Sequence, residues 1–266
     1  MSIPAEGYPL AAAVSPRVQV VESTGSTNAD VVAAIIDDSD AWPHLSLLLT
    51  NDQRAGRGRL DRTWTTPPGT ALAVSVVVRV PDLPVPARGW IPLIAGAAMT
   101  QAIREQVLTT GHEADLKWPN DVLLDGAKIC GILAEVVPGH PDAVVIGAGV
   151  NTRMPRTDLP LPTATSFEAA GLVCNEDRLL ADYVRVLDTQ LTALSLAGGD
   201  PVAAGILDDI EALCSTIGRE VVVSLPDGSK LEGRASAIDH EGRLVVETYE
   251  ESSPTAVSAG DVLHVR

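Results

Sequence analysis

Apolar positions over the first 216 residues follow two spacings, one typical of strands and one typical of helices. A β-branched run at residues 18–21 predicts a strand. The triplet Ser26-Thr27-Asn28 precedes apolar positions at helical spacing over residues 29–36, which predicts a helix with a polar N-cap. The same patterns predict further strands at residues 45–49, 71–80, 143–150 and, in pieces, 116–137. They predict further helices at residues 87–108, 176–197 and 201–213.

The spacing changes near Ile217. From Glu220 on, short Val-rich segments alternate with turn signals, and no helical period remains. Strands mixed with helices, followed by a run of strands, predict an α+β chain with a separate β domain. We therefore expect two domains, residues 1–216 and residues 217–266.

Composition and charge exclude several classes of protein. A formal net charge of −16 argues against a general nucleic-acid binder, because affinity for phosphate backbones comes mostly from Lys and Arg. Cys130, Cys174 and Cys214 are far apart and show no C-x-x-C spacing, so we expect buried thiols in a reducing compartment. Residues 1–17 show no signal peptide, and no apolar run approaches the roughly 18 residues of a membrane span. We expect a cytoplasmic protein.

A loop at residues 53–64 alternates arginine with glycine. Glycine lets the backbone approach a ligand closely, and guanidinium groups bind phosphate or carboxylate oxygens. The loop lacks the third glycine and the following helix of a dinucleotide-binding fingerprint. The alternative interpretation is a solvated surface loop.

A second cluster places Lys117 at the end of a predicted strand, before a Trp-Pro turn. A lysine there could neutralise a substrate carboxylate or an α-phosphate as negative charge develops. Asp121, four residues later, could bind Mg²⁺ through oxygen. The alternative is a strand-end turn with an exposed lysine.

Two further clusters contain small residues within strand patterns. Gly131 interrupts the strand-like segment 128–135, which indicates a bulge or a close backbone approach. Asn151 follows Gly147-Ala148-Gly149, where small residues leave room for a ligand and the amide offers hydrogen bonds. A core strand and a structural turn are the respective alternatives.

Taken in order, these segments resemble the motifs of the biotin–protein ligase family. The matching pieces are Ser26-Thr27-Asn28, the loop from Gly56 to Trp64, residues 117–121, residues 128–135 and residues 147–151. The C-terminal β segment resembles that family's small SH3-like barrel. The resemblance covers about residues 18–266. It implies a catalytic domain with a central mixed sheet flanked by helices, similar to class II aminoacyl-tRNA synthetases.

The resemblance also implies an activity. Biotin and MgATP would give biotinyl-5′-adenylate, from which biotin passes to a lysine of the biotin carboxyl carrier domain of an acyl-CoA carboxylase. ATP and biotin would be substrates, Mg²⁺ the metal and the carrier domain the partner, with neither nucleic acid nor membrane. About twenty residues precede Glu22, too few for the helix-turn-helix domain of some relatives, so we expect a ligase that is not also a repressor. A monomer or weak homodimer is expected.

The resemblance assigns roles by position. Lys117 and Arg59 would be catalytic, and Asp121 would bind the metal. The residues implied for biotin are Ser26, Thr27, Asn28, Gln53, Gly56, Arg57, Lys117, Gly131 and Leu133. Those implied for the nucleotide are Arg57, Arg59, Arg62, Trp64, Asn120, Lys128 and Asn151.

One departure concerns the loop, where many relatives continue with arginine and glycine. Here Leu60-Asp61 stands instead, and the acidic residue lowers the local positive charge, so we expect weaker retention of the nucleotide. Three rival functions remain at this point. They are a lipoate or octanoate ligase or transferase, a DNA-binding biotin sensor, and a non-catalytic module whose C-terminal barrel recruits partners.

Overall fold

The computed structural model describes residues 7–59, 62–64, 66–249, 253–258 and 260–265. Leu60 and Asp61, the departure in the loop, lie outside the described residues. The α-helices are α1 (Pro9–Ala12), α2 (Thr27–Asp37), α3 (Ile91–Val107), α4 (Glu176–Leu196) and α5 (Ile206–Leu213). Short 3₁₀ helices span Val85–Trp90, Arg156–Asp158 and Glu168–Ala170.

Seven strands form a mixed sheet in the N-terminal part of the chain. They are β1 (Val18–Val20), β2 (Leu47–Thr50), β5 (Ala71–Arg79), β6 (Ala114–Lys117), β7 (Asp121–Leu124), β8 (Ala127–Val137) and β9 (His140–Asn151). Their order is β1-β2-β5-β9-β8-β7-β6, in which β1 and β2 are parallel and the other pairs are antiparallel. A separate two-stranded ribbon pairs β3 (Gly56–Arg57) with β4 (Thr63–Trp64) inside the arginine-rich loop.

Helices cover both faces of this sheet, which explains why β5 is apolar at almost every position. Alternate residues Val74, Val76 and Val78 belong to the core shared with α3 and α4. Val77 lies between them on the opposite face of the strand and belongs to the cluster formed with α2. Ser75 lies on the same side as Val77 and is fully buried, so the α2 face carries a polar residue within an apolar strand.

One strand and two helices begin a few residues later than the sequence predicts. Leu45 has a φ of 64°, outside the β region, and β2 accordingly begins at Leu47. The long helix predicted from residue 87 begins as an α-helix at Ile91, after a 3₁₀ turn. The helix predicted from residue 201 begins at Ile206, because Gly205 is left-handed with a φ of 73°. The predicted hairpin turn at Asp125-Gly126 is confirmed, with φ values of 51° and 78°.

The C-terminal strands form an all-antiparallel sheet of five. They are β10 (Glu220–Ser224), β11 (Lys230–Ile238), β12 (Leu244–Thr248), β13 (Thr255–Val257) and β14 (Asp261–His264), in the order β13-β12-β11-β10-β14. The predicted α+β fold with a mixed sheet and a small β domain is confirmed. We propose a domain boundary between residues 216 and 217, in the connection between α5 and β10.

Two tryptophans of the N-terminal part of the chain form hydrogen bonds with the β domain. Trp90 Nε1 donates to the His240 carbonyl at 2.9 Å, and Trp118 Nε1 donates to the Gly242 carbonyl at 3.0 Å. Both indoles are fully buried. A buried indole N–H needs an acceptor, so these two bonds fix one turn of the β domain against the start of α3 and the end of β6.

Two expectations from the sequence concern the state of the cysteines and the presence of a membrane span. Cys130, Cys174 and Cys214 are free thiols, of which Cys130 and Cys214 are buried and Cys174 is half-buried. No helix within the described ranges is long and apolar enough to cross a bilayer.

Candidate active site

A cavity of about 410 Å³ lies on the α2 side of the mixed sheet. It is bounded by the start of α2, the arginine-rich loop, β8, β9 and the start of β14 with the glycine before it. Fourteen of the sixteen predicted site residues line it: Ser26, Thr27, Asn28, Gln53, Arg57, Arg59, Arg62, Trp64, Asn120, Asp121, Lys128, Gly131, Leu133 and Asn151. Gly56 and Lys117 are not among the described residues that line the cavity.

A buried polar cluster occupies the end of the cavity nearest α2. Gln53 Oε1 accepts hydrogen bonds from Thr27 N at 2.9 Å and from Thr27 Oγ1 at 3.1 Å. Ser75 Oγ lies 2.8 Å from Thr27 Oγ1 and donates to Asn28 Oδ1 at 2.6 Å. Ser26 caps α2 by accepting from Ala29 N, so the helix start holds the neighbouring polar side chains in place.

Asn28 connects this cluster to the sheet. Its Nδ2 donates to the Leu133 carbonyl at 3.2 Å and to Glu135 Oε2 at 2.8 Å. A Cβ at Gly147 would lie 2.5 Å from Asn28 Oδ1, closer than real Cβ contacts allow. Gly147 is therefore needed so that Asn28 can lie flat across β9.

Trp64 lies over two glycines in the floor of the cavity. A Cβ at Gly149 would lie 2.6 Å from Trp64 Cε2, and one at Gly131 would lie 3.6 Å from Trp64 Cζ3. Lys128 Nζ sits 5.7 Å from the centroid of the Trp64 ring, within the range of a cation–π contact. The glycines of two predicted motifs thus make room for one aromatic ring and one lysine.

Gly56 acts through its neighbours rather than as a lining residue. A Cβ there would collide with Gln53 Nε2 and with the Trp64 carbonyl. The residue pairs with Trp64 across the ribbon formed by β3 and β4. Gly56 therefore lets Gln53 and Trp64 approach each other, which fixes the shape of the loop.

The cationic side chains that line the described cavity each contact an acidic or amide oxygen. The pairs are Arg57 with Glu135 at 3.1 Å, Arg59 with Asn120 at 3.0 Å, Arg62 with Asp261 at 2.7 Å and Lys128 with Asp121 at 2.6 Å. Burial lowers the pKa of Arg59, whereas the hydrogen bond to Asp261 raises the pKa of Arg62. Arginine stays protonated at neutral pH, so the cavity can hold a polyanion.

Asp121, predicted as a metal ligand, is paired with Lys128. Within the described ranges, no group of three or more His, Cys, Asp or Glu residues could hold a metal ion. Asp121 by itself is therefore no preformed metal site.

Lys117, the predicted catalytic lysine, is the last residue of β6 and pairs in register with Asp121. Its side chain is half-buried. The pKa of Asp261 is lowered mainly by its hydrogen bond with Arg62 and the pKa of His264 mainly by burial, and the charge of Lys117 adds to both shifts. Lys117 therefore lies near the β domain but does not line the described cavity, whereas Lys128 lines it.

Asn151 is almost fully buried at the end of β9. Its Nδ2 donates to the Thr165 carbonyl at 2.9 Å, and its Oδ1 has no partner among the described residues. A buried acceptor without a donor is unfavourable, so this oxygen is available to a ligand N–H.

Sequence reasoning missed four residues at the site: Gly260 and Asp261 line the cavity, whereas Ser75 and Glu135 contact residues that line it. Ser75 carried a readable signal, since it is one polar residue in a strand that is otherwise apolar. Glu135 belonged to a recognised motif, but its pairing with Arg57 depends on how β8 passes the loop. Gly260 and Asp261 come from the β domain, far along the chain from Arg62, and no local pattern connects them.

Two family models match this chain. Residues 20–151 match the Biotin/lipoate A/B protein ligase family, and residues 216–265 match the Biotin protein ligase C terminal domain. The chain is 37% identical over 251 residues to the biotin--[acetyl-CoA-carboxylase] ligase of Mycobacterium tuberculosis, covering 94% of this chain and 90% of that protein. It is 31% identical to the bifunctional ligase/repressor BirA of Bacillus subtilis, covering 78% of this chain and 63% of that protein.

The fold also matches solved structures. Biotin protein ligase from Aquifex aeolicus in complex with biotin and ATP aligns with a TM-score of 0.73 at 21% identity, over 94% of this chain and 99% of that chain. A likeness at 21% identity shows the fold alone. The 37% identity to the mycobacterial ligase extends over most of both chains and is high enough to show the family. This chain belongs to the biotin–protein ligase family.

Proposed function

We propose that this protein activates biotin with ATP and transfers it to a lysine of the biotin carboxyl carrier domain of an acyl-CoA carboxylase. The observation that carries the proposal is the assembly of fourteen motif residues around one cavity, in a chain of this family. The cavity volume of about 410 Å³ falls within the range of roughly 300–1,000 Å³ typical of small-molecule sites.

The polar cluster at the α2 end suits the ureido ring of biotin. That ring carries two N–H donors and a carbonyl acceptor, which lose their water when buried and need partners in the protein. Thr27, Gln53 and Asn28 supply hydroxyl and amide groups that can rearrange around such a ring. The neighbouring Gly131 and Leu133 would line the path of the aliphatic chain.

The cationic part of the cavity suits the first chemical step. A carboxylate oxygen of biotin attacks the α-phosphorus of ATP, the bond from phosphorus to the bridging oxygen breaks, and pyrophosphate leaves. Negative charge must be stabilised on the oxygens around that phosphorus. We assign this role first to Lys128, because its Nζ lies inside the cavity, and we assign the flanking phosphates to Arg59 and Arg62.

The adenosine end is assigned to Trp64 and Asn151. Trp64 offers an aromatic surface in the cavity on which a base can stack. The unpartnered Oδ1 of Asn151 can accept a hydrogen bond from an amino group. Both residues belong to the predicted nucleotide set.

Mg²⁺ would enter with the nucleotide, as MgATP. Magnesium keeps several waters and is commonly held by one or two carboxylates together with substrate phosphates. Asp121 would contribute one such oxygen, and Lys128, which is paired with Asp121 Oδ1 at 2.6 Å, would then turn toward the phosphate.

The second step transfers biotin to the carrier domain. The neutral amine of the target lysine attacks the carbonyl carbon of the mixed anhydride, the carbon–oxygen bond to AMP breaks, and the nitrogen loses a proton. The cationic cluster that binds ATP would also hold the leaving AMP phosphate, so one set of residues serves both steps.

A lipoate ligase is the second candidate, since the matching family includes both kinds of enzyme. A dithiolane ring offers no N–H donor or carbonyl acceptor. Such a ring would gain no hydrogen bonds from Thr27, Gln53 and Asn28 and would have to cover polar groups that pair only with one another, so it should bind less tightly than a ureido ring. The geometry therefore favours biotin.

Isotope exchange tests the first step in isolation. With MgATP and labelled pyrophosphate, label should enter ATP only when biotin is present, because the reversal of adenylate formation regenerates ATP. Lipoate should support little exchange. Exchange without biotin, or exchange supported by lipoate alone, would contradict the proposed substrate.

A further inference from the structure

The carboxylate of Asp261 lies where the cations of the cavity converge. Arg62 approaches it with both terminal nitrogens, at 2.7 Å and 3.2 Å. The hydrogen bond with Arg62 lowers the pKa of Asp261, and the charges of Lys117 and Lys128 add to this shift. Burial lowers the pKa of Arg59, and the charge of Asp261 acts against that effect. Asp261 of the β domain thus pairs directly with Arg62 and lies within electrostatic range of three further cations of the catalytic domain.

The β domain holds this carboxylate at a fixed place. Asp261 is the first residue of β14 and pairs in register with Ser224 of β10. The preceding Gly260 leaves no room for a side chain, since a Cβ there would lie 2.6 Å from Val223 Cγ1. The backbone before Asp261 is therefore packed closely against β10, whereas Arg62 belongs to the loop over the cavity.

The pair is too exposed to serve as a strong clamp. The Arg62 side chain is 61% exposed and the Asp261 side chain 49% exposed. Ion pairs this open to water are weak, and a competing anion can displace the carboxylate. A phosphate oxygen forms the same forked contact with a guanidinium group.

We propose that Asp261 is an internal counter-ion that occupies the position of a nucleotide phosphate at Arg62, and that polyphosphate binding displaces it. Asp261 would thereby set the affinity of the cavity for ATP without touching biotin. The exchange makes and breaks no covalent bond. The assignment to ATP rests on the proposed function, whereas competition with a polyphosphate rests on the geometry alone.

The test compares Asp261→Asn with the unchanged protein, with inorganic tripolyphosphate as the probe in titration calorimetry at low salt. Asn keeps the shape and removes the negative charge, so Kd should fall about three- to tenfold. Glu232→Gln, an exposed site on β11, is the matched control for net charge and should leave Kd unchanged. Asp261→Ser should behave like Asp261→Asn, and circular dichroism establishes that each variant is folded.

The same variants are then assayed for the KM of ATP in biotin-dependent pyrophosphate exchange. A fall in this KM with an unchanged KM for biotin supports the proposal. An unchanged or raised Kd for tripolyphosphate overturns it, and a rise would identify Asp261 as an anchor that positions Arg62. If the unchanged protein shows no exchange while the variant still binds tripolyphosphate more tightly, the proposed function fails and the counter-ion role stands.

Discussion

At the scale of single residues, two lysines are candidates for stabilising the negative charge that develops around the α-phosphorus of ATP. Lys117 ends β6 and does not line the described cavity, whereas Lys128 lines it beside Trp64 and Asp121. Charge stabilises a transition state only when it is aimed at the atoms where charge develops. The position of Lys128 meets this condition more directly.

Replacement of each lysine by glutamine separates the two roles. Lys128→Gln should lower kcat/KM for biotin-dependent pyrophosphate exchange by roughly 10²–10³-fold, because a charge directed at the reacting phosphate is lost. Lys117→Gln should lower it by less than about tenfold, since this residue acts from outside the cavity. A larger loss for Lys117→Gln, in a folded protein, would restore Lys117 as the catalytic lysine.

Gly147 provides a second test at this scale. In Gly147→Ala the new Cβ would lie 2.5 Å from Asn28 Oδ1 and displace the amide from Ser75 and Glu135. We expect the KM for biotin to rise about 10- to 100-fold, with a smaller change in the KM for ATP. Gly25→Ala is the control, because its Cβ would meet nothing closer than 4.0 Å. Equal effects on both KM values would contradict the assignment of this end of the cavity to biotin.

Most of the cavity could be predicted from the sequence because its residues lie in short motifs at the ends of strands. Gly56 and Lys117 are exceptions. Gly56 has no side chain and serves the close approach of Gln53 and Trp64, and a motif does not determine whether a side chain such as that of Lys117 lines the cavity. Asp261 could not be found in this way. Its contact with Arg62 depends on how two domains pack, and nothing in either segment encodes that contact locally.

At the scale of elements, single side-chain hydrogen bonds determine how the β domain docks on the rest of the chain. Trp90 and Trp118 donate to carbonyls of one turn in the β domain, and Thr216 Oγ1 lies 3.1 Å from His264 Nε2 at the junction. Periodicity predicted the helix α5 and the strands that follow it. It could not predict the docking, which depends on single side chains reaching across the domains.

Removal of one docking hydrogen bond should weaken the junction measurably. Trp118→Phe keeps an aromatic ring but leaves the Gly242 carbonyl without its donor, which costs about 1–3 kcal/mol of unfolding free energy. Urea denaturation measures this loss, and amide exchange near Gly242 should accelerate. Trp42→Phe is the control, because Trp42 belongs to the α2 cluster, and it should leave exchange near Gly242 unchanged. Unchanged exchange in Trp118→Phe would contradict the docking role.

His264 makes the junction sensitive to pH. Burial, with the nearby charges of Lys117 and Arg219, lowers the pKa of His264 to about 4, compared with about 6.5 in an unfolded chain. The unfolded chain therefore binds more protons between these values, so the stability due to neutral His264 is complete above about pH 6.5 and is lost as the pH falls toward 4. His264→Gln should flatten this part of the stability curve in urea titrations. A slope unchanged by the substitution would show that other groups cause it.

At the scale of the whole molecule, one cavity draws residues from both domains. The net charge of −16 coexists with a local cluster of Arg and Lys, so the overall charge says little about which ligand the cavity binds. The α+β fold could be predicted because strands mixed with helices give way to a run of strands near Ile217, and the family could be predicted because five motifs occur in a fixed order. The expected monomer or weak homodimer and the cytoplasmic location stay predictions.

The intact mass of an apo carrier domain shows directly whether this protein attaches biotin to it. The domain is incubated with this protein, MgATP and equal amounts of biotin and lipoate. We predict an increase equal to one biotinyl group, absent without ATP and absent when the target lysine is replaced by arginine. A lipoyl increase, or no increase with a folded protein and a competent carrier, would contradict the account.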